Sequence, residues 1–219
     1  MSLAIFDLDN TLLNGDSDYL WGRFLVELGV VDGEWYEAEN QRFYDEYNAG
    51  SLDINEFLRF SLKPLSEHPV ETLNAWHAQF MRSKITPIML PAAHALVDKH
   101  RDLGDTLIII TATNRFVTGP IATAYGIDNM LATEPEFING AYTGNVTDTP
   151  CFREGKVERL NTWLRKQGQN LKGSYFYSDS HNDLPLLEMV EHPVAVDADD
   201  TLSQHAKMRG WQALSLRDE

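Results

Sequence analysis

Two aspartates sit one residue apart at the end of an apolar run: Asp7 and Asp9, in the stretch IFDLDNTLLNGD of residues 5–16. Burying an unpaired carboxylate is costly, and two close together cannot both stay ionised without help. A cation, a shared proton or solvent must compensate them. Three later stretches offer partners. Thr111 follows the apolar LIII, Lys156 falls in GKVERL, and Ser178-Asp179-Ser180-His181-Asn182-Asp183 follows YFY. In a parallel sheet such strand ends share one edge, where carboxylates, a hydroxyl and a lysine would converge. Asp7 and Asp179 would then make a hard oxygen site of the kind Mg²⁺ accepts, with several waters retained. Thr111 and backbone N–H groups at a helix start can hold phosphate oxygens, and Lys156 adds a fixed cation. The set suits stabilisation of a transferring phosphoryl group.

The elements that must position these residues follow from hydrophobic spacing. Leu3 to Leu8 reads as a short buried strand. From about Asp16 to Lys84 the pattern is helical: SDYLWGRFLVELG with its stop at Gly29, GEWYEAENQRFYDEY broken at Asn48-Ala49-Gly50, SLDINEFLRFSL, and VETLNAWHAQFMRS. The texture then alternates. PAAHALVDKHRDLG is a helix, DTLIIIT a strand covered on both faces, and FVTGPIATAYG a helix. EFINGAYTGNVT reads as a β-hairpin turning at Asn139-Gly140. GKVERLNTWLRKQG, NDLPLLEMV and TLSQHAKMRG are helices, separated by the strands SYFYSD and PVAVD. The expectation is an α/β fold, a Rossmann-like, mostly parallel sheet with helices on both faces. Its core takes residues 1–15 and 85–219, and an all-helical cap, 16–84, is inserted just after the Asp7/Asp9 strand end. Ligands bind outside the carboxyl ends of such strands, so the insertion is placed to cover a site there.

Composition bounds the function. The chain has 219 residues, 43% hydrophobic and 23% charged, an ordinary globular mix. Its 18 basic and 33 acidic side chains leave a net charge of −15. Such a surface repels nucleic acid and anionic membranes, and an anionic substrate needs a local positive centre. The single cysteine, Cys151, rules out an internal disulfide and suits a reducing compartment. With no signal-like segment and no apolar run near the ~20 residues of a spanning helix, the expectation is a soluble cytoplasmic protein. No clustered Cys/His pattern suggests zinc. Cys151 reads as a packed thiol, and His181 as a neighbour of the site, not a metal ligand.

In order and spacing, Asp-x-Asp-x-Thr, a strand-terminal Thr, a Lys and Asp-x-x-x-Asp resemble the haloacid dehalogenase superfamily of phosphatases, and within it the phosphoserine-phosphatase-like group. The resemblance covers nearly the whole chain, and the helical insertion matches that group's cap. TATNRFVTGPIA and CFREGKVERLNTWL are similar to a bacterial branch with members acting on histidinol phosphate. The resemblance implies that Asp7 is the nucleophile that becomes an aspartyl phosphate. Asp9 protonates the leaving oxygen and then deprotonates water. Thr111 and Lys156 bind phosphoryl oxygens, and Mg²⁺ rests on Asp7, Asp179 and the backbone carbonyl of Asp9. Asn182 and Asp183 orient phosphate, Lys156 and metal waters. Asp16, nine residues after Asp7, matches an acidic residue that contacts the substrate amine, and Arg59 lies near the family's cap arginine. One departure is Ser178, where the family commonly has Gly before the metal-binding Asp.

The implied substrate is a small amine-bearing phosphate ester, histidinol phosphate or phosphoserine. The alternative from another class is a receiver-like signalling module, which also uses an Asp, a Thr/Ser and a Lys around Mg²⁺. The Asp7/Asp9 pair, the large insertion and the length count against it. A phosphatase or phosphotransferase of the same superfamily with another substrate stays open. Oligomeric state is not legible in the sequence.

Overall fold

The computed structural model describes residues 2–217. Leu3–Phe6 form β1, with all four side chains buried. The further strands are β2 (Thr106–Asn114), β3 (Asn129–Thr133), β4 (Pro135–Ile138), β5 (Ala141–Val146), β6 (Tyr175–Ser178), β7 (His192–Val196) and β8 (Gln212–Leu214). Six of them build one sheet in the order β3-β2-β1-β6-β7-β8, every neighbouring pair parallel. From β1 the chain moves to β2 and β3 on one side, then crosses to β6 on the other. The strand order therefore reverses at β1, and a crevice opens at its carboxyl end.

Between β1 and β2 run α1 (Ser17–Glu27), α2 (Gly33–Asn48), α3 (Ile54–Ser61), α4 (Lys63–Glu67), α5 (Val70–Phe80) and α6 (Pro91–Asp102). Asp16, Asp32 and Asp53 start α1, α2 and α3, each accepting a first-turn N–H, from Tyr19, Trp35 and Asn55 respectively. Such caps satisfy donors that the helix itself cannot. The expected third helix is α3, and a short helix, α4, follows it separately because Pro64 in its first turn cannot continue the hydrogen-bond ladder of α3. After β2 come α7 (Arg115–Ala124), α8 (Glu154–Gln167), α9 (Leu184–Leu187) and α10 (Asp200–Arg209).

Alternation along the strands sends side chains to two clusters. Ala4, Phe6, Ile109 and Tyr177 pack with Val97 of α6 and Val117 and Ile121 of α7. Leu3, Ile5, Ile108 and Phe176 pack with Leu160 of α8 and Leu202 of α10. At ~1.5–3 kcal/mol for each fully buried aliphatic or aromatic side chain, this pattern fixes which face of each strand meets which helix. Trp21 and Phe24 of α1 and Phe80 of α5 join the first cluster. Phe43, Leu52 and Phe152 form a third, smaller cluster with Tyr47, Phe57 and Ala112, so α2 and α3 lie over the strand ends.

The β4–β5 hairpin turns at Asn139 (φ 52°) and Gly140 (φ 84°), the two left-handed residues its tight turn requires. Its strand β5 packs on α3 and α4. Two edge strands, β3 and β8, extend the sheet beyond the sequence expectation. Among the described residues no helix is long and apolar enough to cross a membrane.

Candidate active site

The chain leaves β1 with Asp7, whose N–H still pairs with the Tyr177 carbonyl at 2.9 Å. Leu12 and Leu13 donate back to the Leu8 carbonyl, and Asn10 takes a positive φ of 56°. This tight turn brings Asp9 to the amino end of α1. There Asp9 Oδ1 accepts the Ser17 N–H at 2.6 Å and Oδ2 accepts the Thr113 hydroxyl at 2.8 Å. Thr111 and Thr113 lie two apart on β2 and both line the same cavity. The Thr111 hydroxyl accepts the Thr113 N–H at 3.2 Å, which leaves its own proton to donate.

Lys156, 1% exposed, is held at the start of α8. Its Nζ donates to Asp7 Oδ1 at 2.7 Å and to Asp183 Oδ2 at 2.8 Å. The neighbouring Gly155 permits this placement, since a Cβ there would stand 2.0 Å from the Pro150 carbonyl oxygen. Asp179 Oδ1 accepts the Thr11 hydroxyl at 2.9 Å, and the Asp179 N–H returns to Thr11 Oγ at 3.0 Å. The family departure at Ser178 has a job: its hydroxyl donates to Asp183 Oδ2 at 2.7 Å.

The electrostatics are lopsided. Lys156 is the cation bonded directly to this floor, beside Asp7, Asp183 and the nearby Asp9 and Asp179. Burial opposes its charge, but Asp183 and Asp7 hold it protonated well above the usual lysine range. Burial pushes Asp7 up to about 7; Lys156 pulls it down, and Asp183 and Asp9 push it up further. Burial, then Asp7, raises Asp179 well above the ordinary carboxylate range. Burial and Asp16 lift Asp9 to about 6, held back by its bonds from Ser17 and Thr113. One ammonium does not neutralise this group. A hard dication fits the remaining charge, with carboxylate oxygens as donors. Among the described residues no three His, Cys, Asp or Glu side chains close into a cage. An ion here would rest on the Asp7 and Asp179 carboxylates and the Asp9 carbonyl, with water completing its shell, as Mg²⁺ prefers.

A cavity opens over Asp7, Asp9 and Thr111. Asp16 and Asp18 of the α1 entry line it, with Tyr19, Asn40, Phe43, Tyr44, Tyr47 and Phe57 from the helical cover. Burial, then Asp16 and Asp9, raises Asp18 well above its ordinary value. Asp18 accepts from Asn114 Nδ2 at 3.4 Å. The sequence reading missed Asp18 and the role of Thr113; the Thr-x-Thr alternation on one strand face was the available signal for the latter.

Two expected site residues stand apart. Arg59 does not line this cavity, but two outer depressions, one beside Trp35 and Lys63, the other beside Leu62 and Asn145. It sits on α3, whose inward Leu58 faces the core instead. Asn182 is buried beside Asp183, but its amide donates to the Tyr47 carbonyl at 3.1 Å and to Ser180 Oγ at 3.2 Å, so it faces the cover.

The haloacid dehalogenase-like hydrolase family matches residues 4–188. A histidinol-phosphatase of Neisseria meningitidis serogroup C is 45% identical over 220 residues, covering 99% of each chain. A solved protein of unknown function from Bordetella pertussis Tohama I is 45% identical over 98% of each chain, with a TM-score of 0.93. A substrate-bound phosphoserine phosphatase shares the fold at a TM-score of 0.73 and 19% identity, covering 97% of this chain and 92% of that one. With the sheet, the strand-end acids and these relatives together, the chain belongs to the haloacid dehalogenase-like hydrolases and is a phosphoric monoester hydrolase.

Proposed function

We propose that the protein is a Mg²⁺-dependent phosphatase that works through an aspartyl phosphate on a small amine-bearing ester, with histidinol phosphate as the preferred substrate and phosphoserine as the runner-up. The observation that carries the choice is the cavity wall. Its lining includes Asp16 and Asp18 and four aromatic rings of α2 and α3, Phe43, Tyr44, Tyr47 and Phe57, but no Arg or Lys. Acids suit an ammonium, and aromatic faces suit an imidazole ring. Phosphoserine brings a carboxylate, which asks for a cation. Arg59 lies elsewhere, and Arg42 is tied to Glu39, Glu46 and Glu56. The 45% identity to a histidinol-phosphatase over the whole chain supports the same choice.

The chemistry follows from the side chains. Asp7 Oδ1 is held by Lys156, and its second oxygen attacks phosphorus as the ester P–O bond breaks. Asp9, near neutrality at about 6, gives its proton to the departing alkoxide. Its carboxylate then takes a proton from water, whose oxygen attacks phosphorus. The P–O bond to Asp7 breaks, releasing inorganic phosphate and restoring both acids. Splitting one displacement into two is the benefit of covalent catalysis, and a base pKa near the working pH suits both proton transfers. Thr111 and Lys156 hold the phosphoryl oxygens, with Asp183 steadying Lys156. When bound, Mg²⁺ favours ionised Asp7 and offsets phosphoryl charge. A receiver-like role fits poorly, because Asp9 hastens loss of the phosphoryl group.

The test is phosphate release from histidinol phosphate, O-phosphoserine and a simple aryl phosphate, with Mg²⁺ and with EDTA. The expected result is the highest kcat/KM for histidinol phosphate, abolished by EDTA and restored by Mg²⁺. A preference for phosphoserine would overturn the substrate assignment, and EDTA-insensitive turnover the metal dependence.

A further inference from the structure

We infer that Arg153 is a positioning residue that latches the helical cover onto the catalytic floor. It lies three residues before Lys156 and is half-buried. Its backbone takes φ 50° and ψ −120°, a conformation that side-chain-bearing residues rarely adopt. Such strain persists only where surrounding contacts over-determine it. The contacts are visible. Nε donates to Asn182 Oδ1 at 2.9 Å, one Nη donates to the Gly50 carbonyl, and the guanidinium lies 4.9 Å from the centre of the Phe152 ring.

Both ends of this bridge are informative. Asn182 sits between Asp179 and Asp183, and its own amide donates to the Tyr47 carbonyl. Tyr47 and Gly50 belong to the carboxyl end of α2, where a helix leaves carbonyls unpaired and its dipole is negative. Arg153 and Asn182 thus clamp that end from the floor side. The fit is close: Gly50 has φ +69°, and a Cβ there would stand 2.8 Å from His181 Nε2 and 3.2 Å from Arg153 Nη2. His181 is fixed in turn by Asp199, which accepts from its N–H at 2.7 Å and pairs with Nδ1 at 2.8 Å. Tyr44 and Tyr47, just upstream on α2, line the cavity over Asp7. Releasing the clamp should free the wall that holds the non-phosphate part of the substrate, while Asp7, Asp9 and Lys156 keep their own partners.

The kinetic part of this inference rests on the phosphatase reading above; the exchange part does not. The experiment compares wild type with Arg153→Ala, Arg153→Lys and Gly50→Ala by amide hydrogen exchange, thermal melting and steady-state kinetics on histidinol phosphate and an aryl phosphate. Arg153→Ala should speed exchange at residues 47–52 by about tenfold while β1 and β2 keep theirs. It should raise KM for histidinol phosphate by about tenfold with kcat within about threefold, and affect the aryl phosphate less. Arg153→Lys should recover part of both effects. Gly50→Ala, which crowds the same contact, should act in the same direction as Arg153→Ala. Unchanged exchange at 47–52 would overturn the latch. So would faster exchange in β1 and β2 to the same degree with a lowered melting temperature, which would make Arg153 a general structural residue. If neither ester is turned over by any variant, the substrate assignment fails while exchange still decides the latch.

Discussion

The floor and the cover of the cavity are built by opposite rules. On the floor, every acid is tied down by a partner distant in sequence: Asp7 and Asp183 by Lys156, Asp179 by Thr11, Asp9 by Thr113. On the cover, Asp18 has one long contact, to Asn114 at 3.4 Å, and much of the remaining wall is aromatic. Satisfied networks rigidify, whereas a sparsely bonded wall can adapt to a substrate. Under the proposed function, this difference divides the labour: the reaction on the floor, the choice of ester on the cover.

The most severe way to break this comparison is Asp7→Asn. The amide keeps the shape but removes the proposed nucleophile, so phosphate release should fall by at least about a thousandfold. The loss should be equal for all esters, with the far-ultraviolet circular dichroism unchanged. Residual activity near wild type would remove Asp7 from the mechanism.

A change on the cover should discriminate instead. Asp18→Asn removes the carboxylate proposed to meet the substrate ammonium, a charge-assisted contact of ~1.5–3 kcal/mol, which should lower kcat/KM for histidinol phosphate about 10- to 100-fold. The aryl phosphate should lose much less. Because burial, Asp16 and Asp9 all work against the Asp18 charge, the variant should also melt higher than wild type, a gain of stability at the expense of function. Equal losses on both esters would place Asp18 in the chemistry and blur the division between the two regions.

How far the sequence reveals each region follows the same division. The floor is legible because its residues sit at fixed offsets from strand ends, and the LIII and YFY runs mark those ends. The hairpin is legible from Asn139-Gly140, since few other residue pairs accept two positive φ values. β3 is not, because NMLAT lacks the β-branched run of β2; its extension comes from pairing, Ile108 with Asn129 and Ile110 with Leu131. β8 is three residues long at the sheet edge and depends equally on its neighbour β7. The cover's chemistry is least legible. Arg59 and Asp18 both lie on amphipathic helices, and only the packing of α1 and α3 decides that Asp18 faces the cavity while Arg59 faces away.

Two buried groups, Asp7 on the floor and His77 in the helical segment between β1 and β2, should answer pH with opposite signs, the smallest of the expected effects. In metal-free protein, Asp7 keeps its proton up to about pH 7, whereas in the unfolded chain it loses it near pH ~4. The native state therefore binds the extra proton between those values, and this contribution to stability declines as pH rises through the window. His77 of α5 behaves in reverse. Burial lowers its pKa, outweighing the opposing bond in which Nε2 meets the Val117 carbonyl at 2.8 Å. The unfolded state binds the extra proton there, so stability is lost as pH falls below the free histidine value of ~6.5. Urea midpoints in EDTA, measured from pH 5 to pH 7.5, separate the two. Relative to wild type, Asp7→Asn should lose the decline toward pH 7, and His77→Gln should lose the weakening toward pH 5. If both variants shift the profile in the same direction, the opposed signs assigned to Asp7 and His77 are wrong.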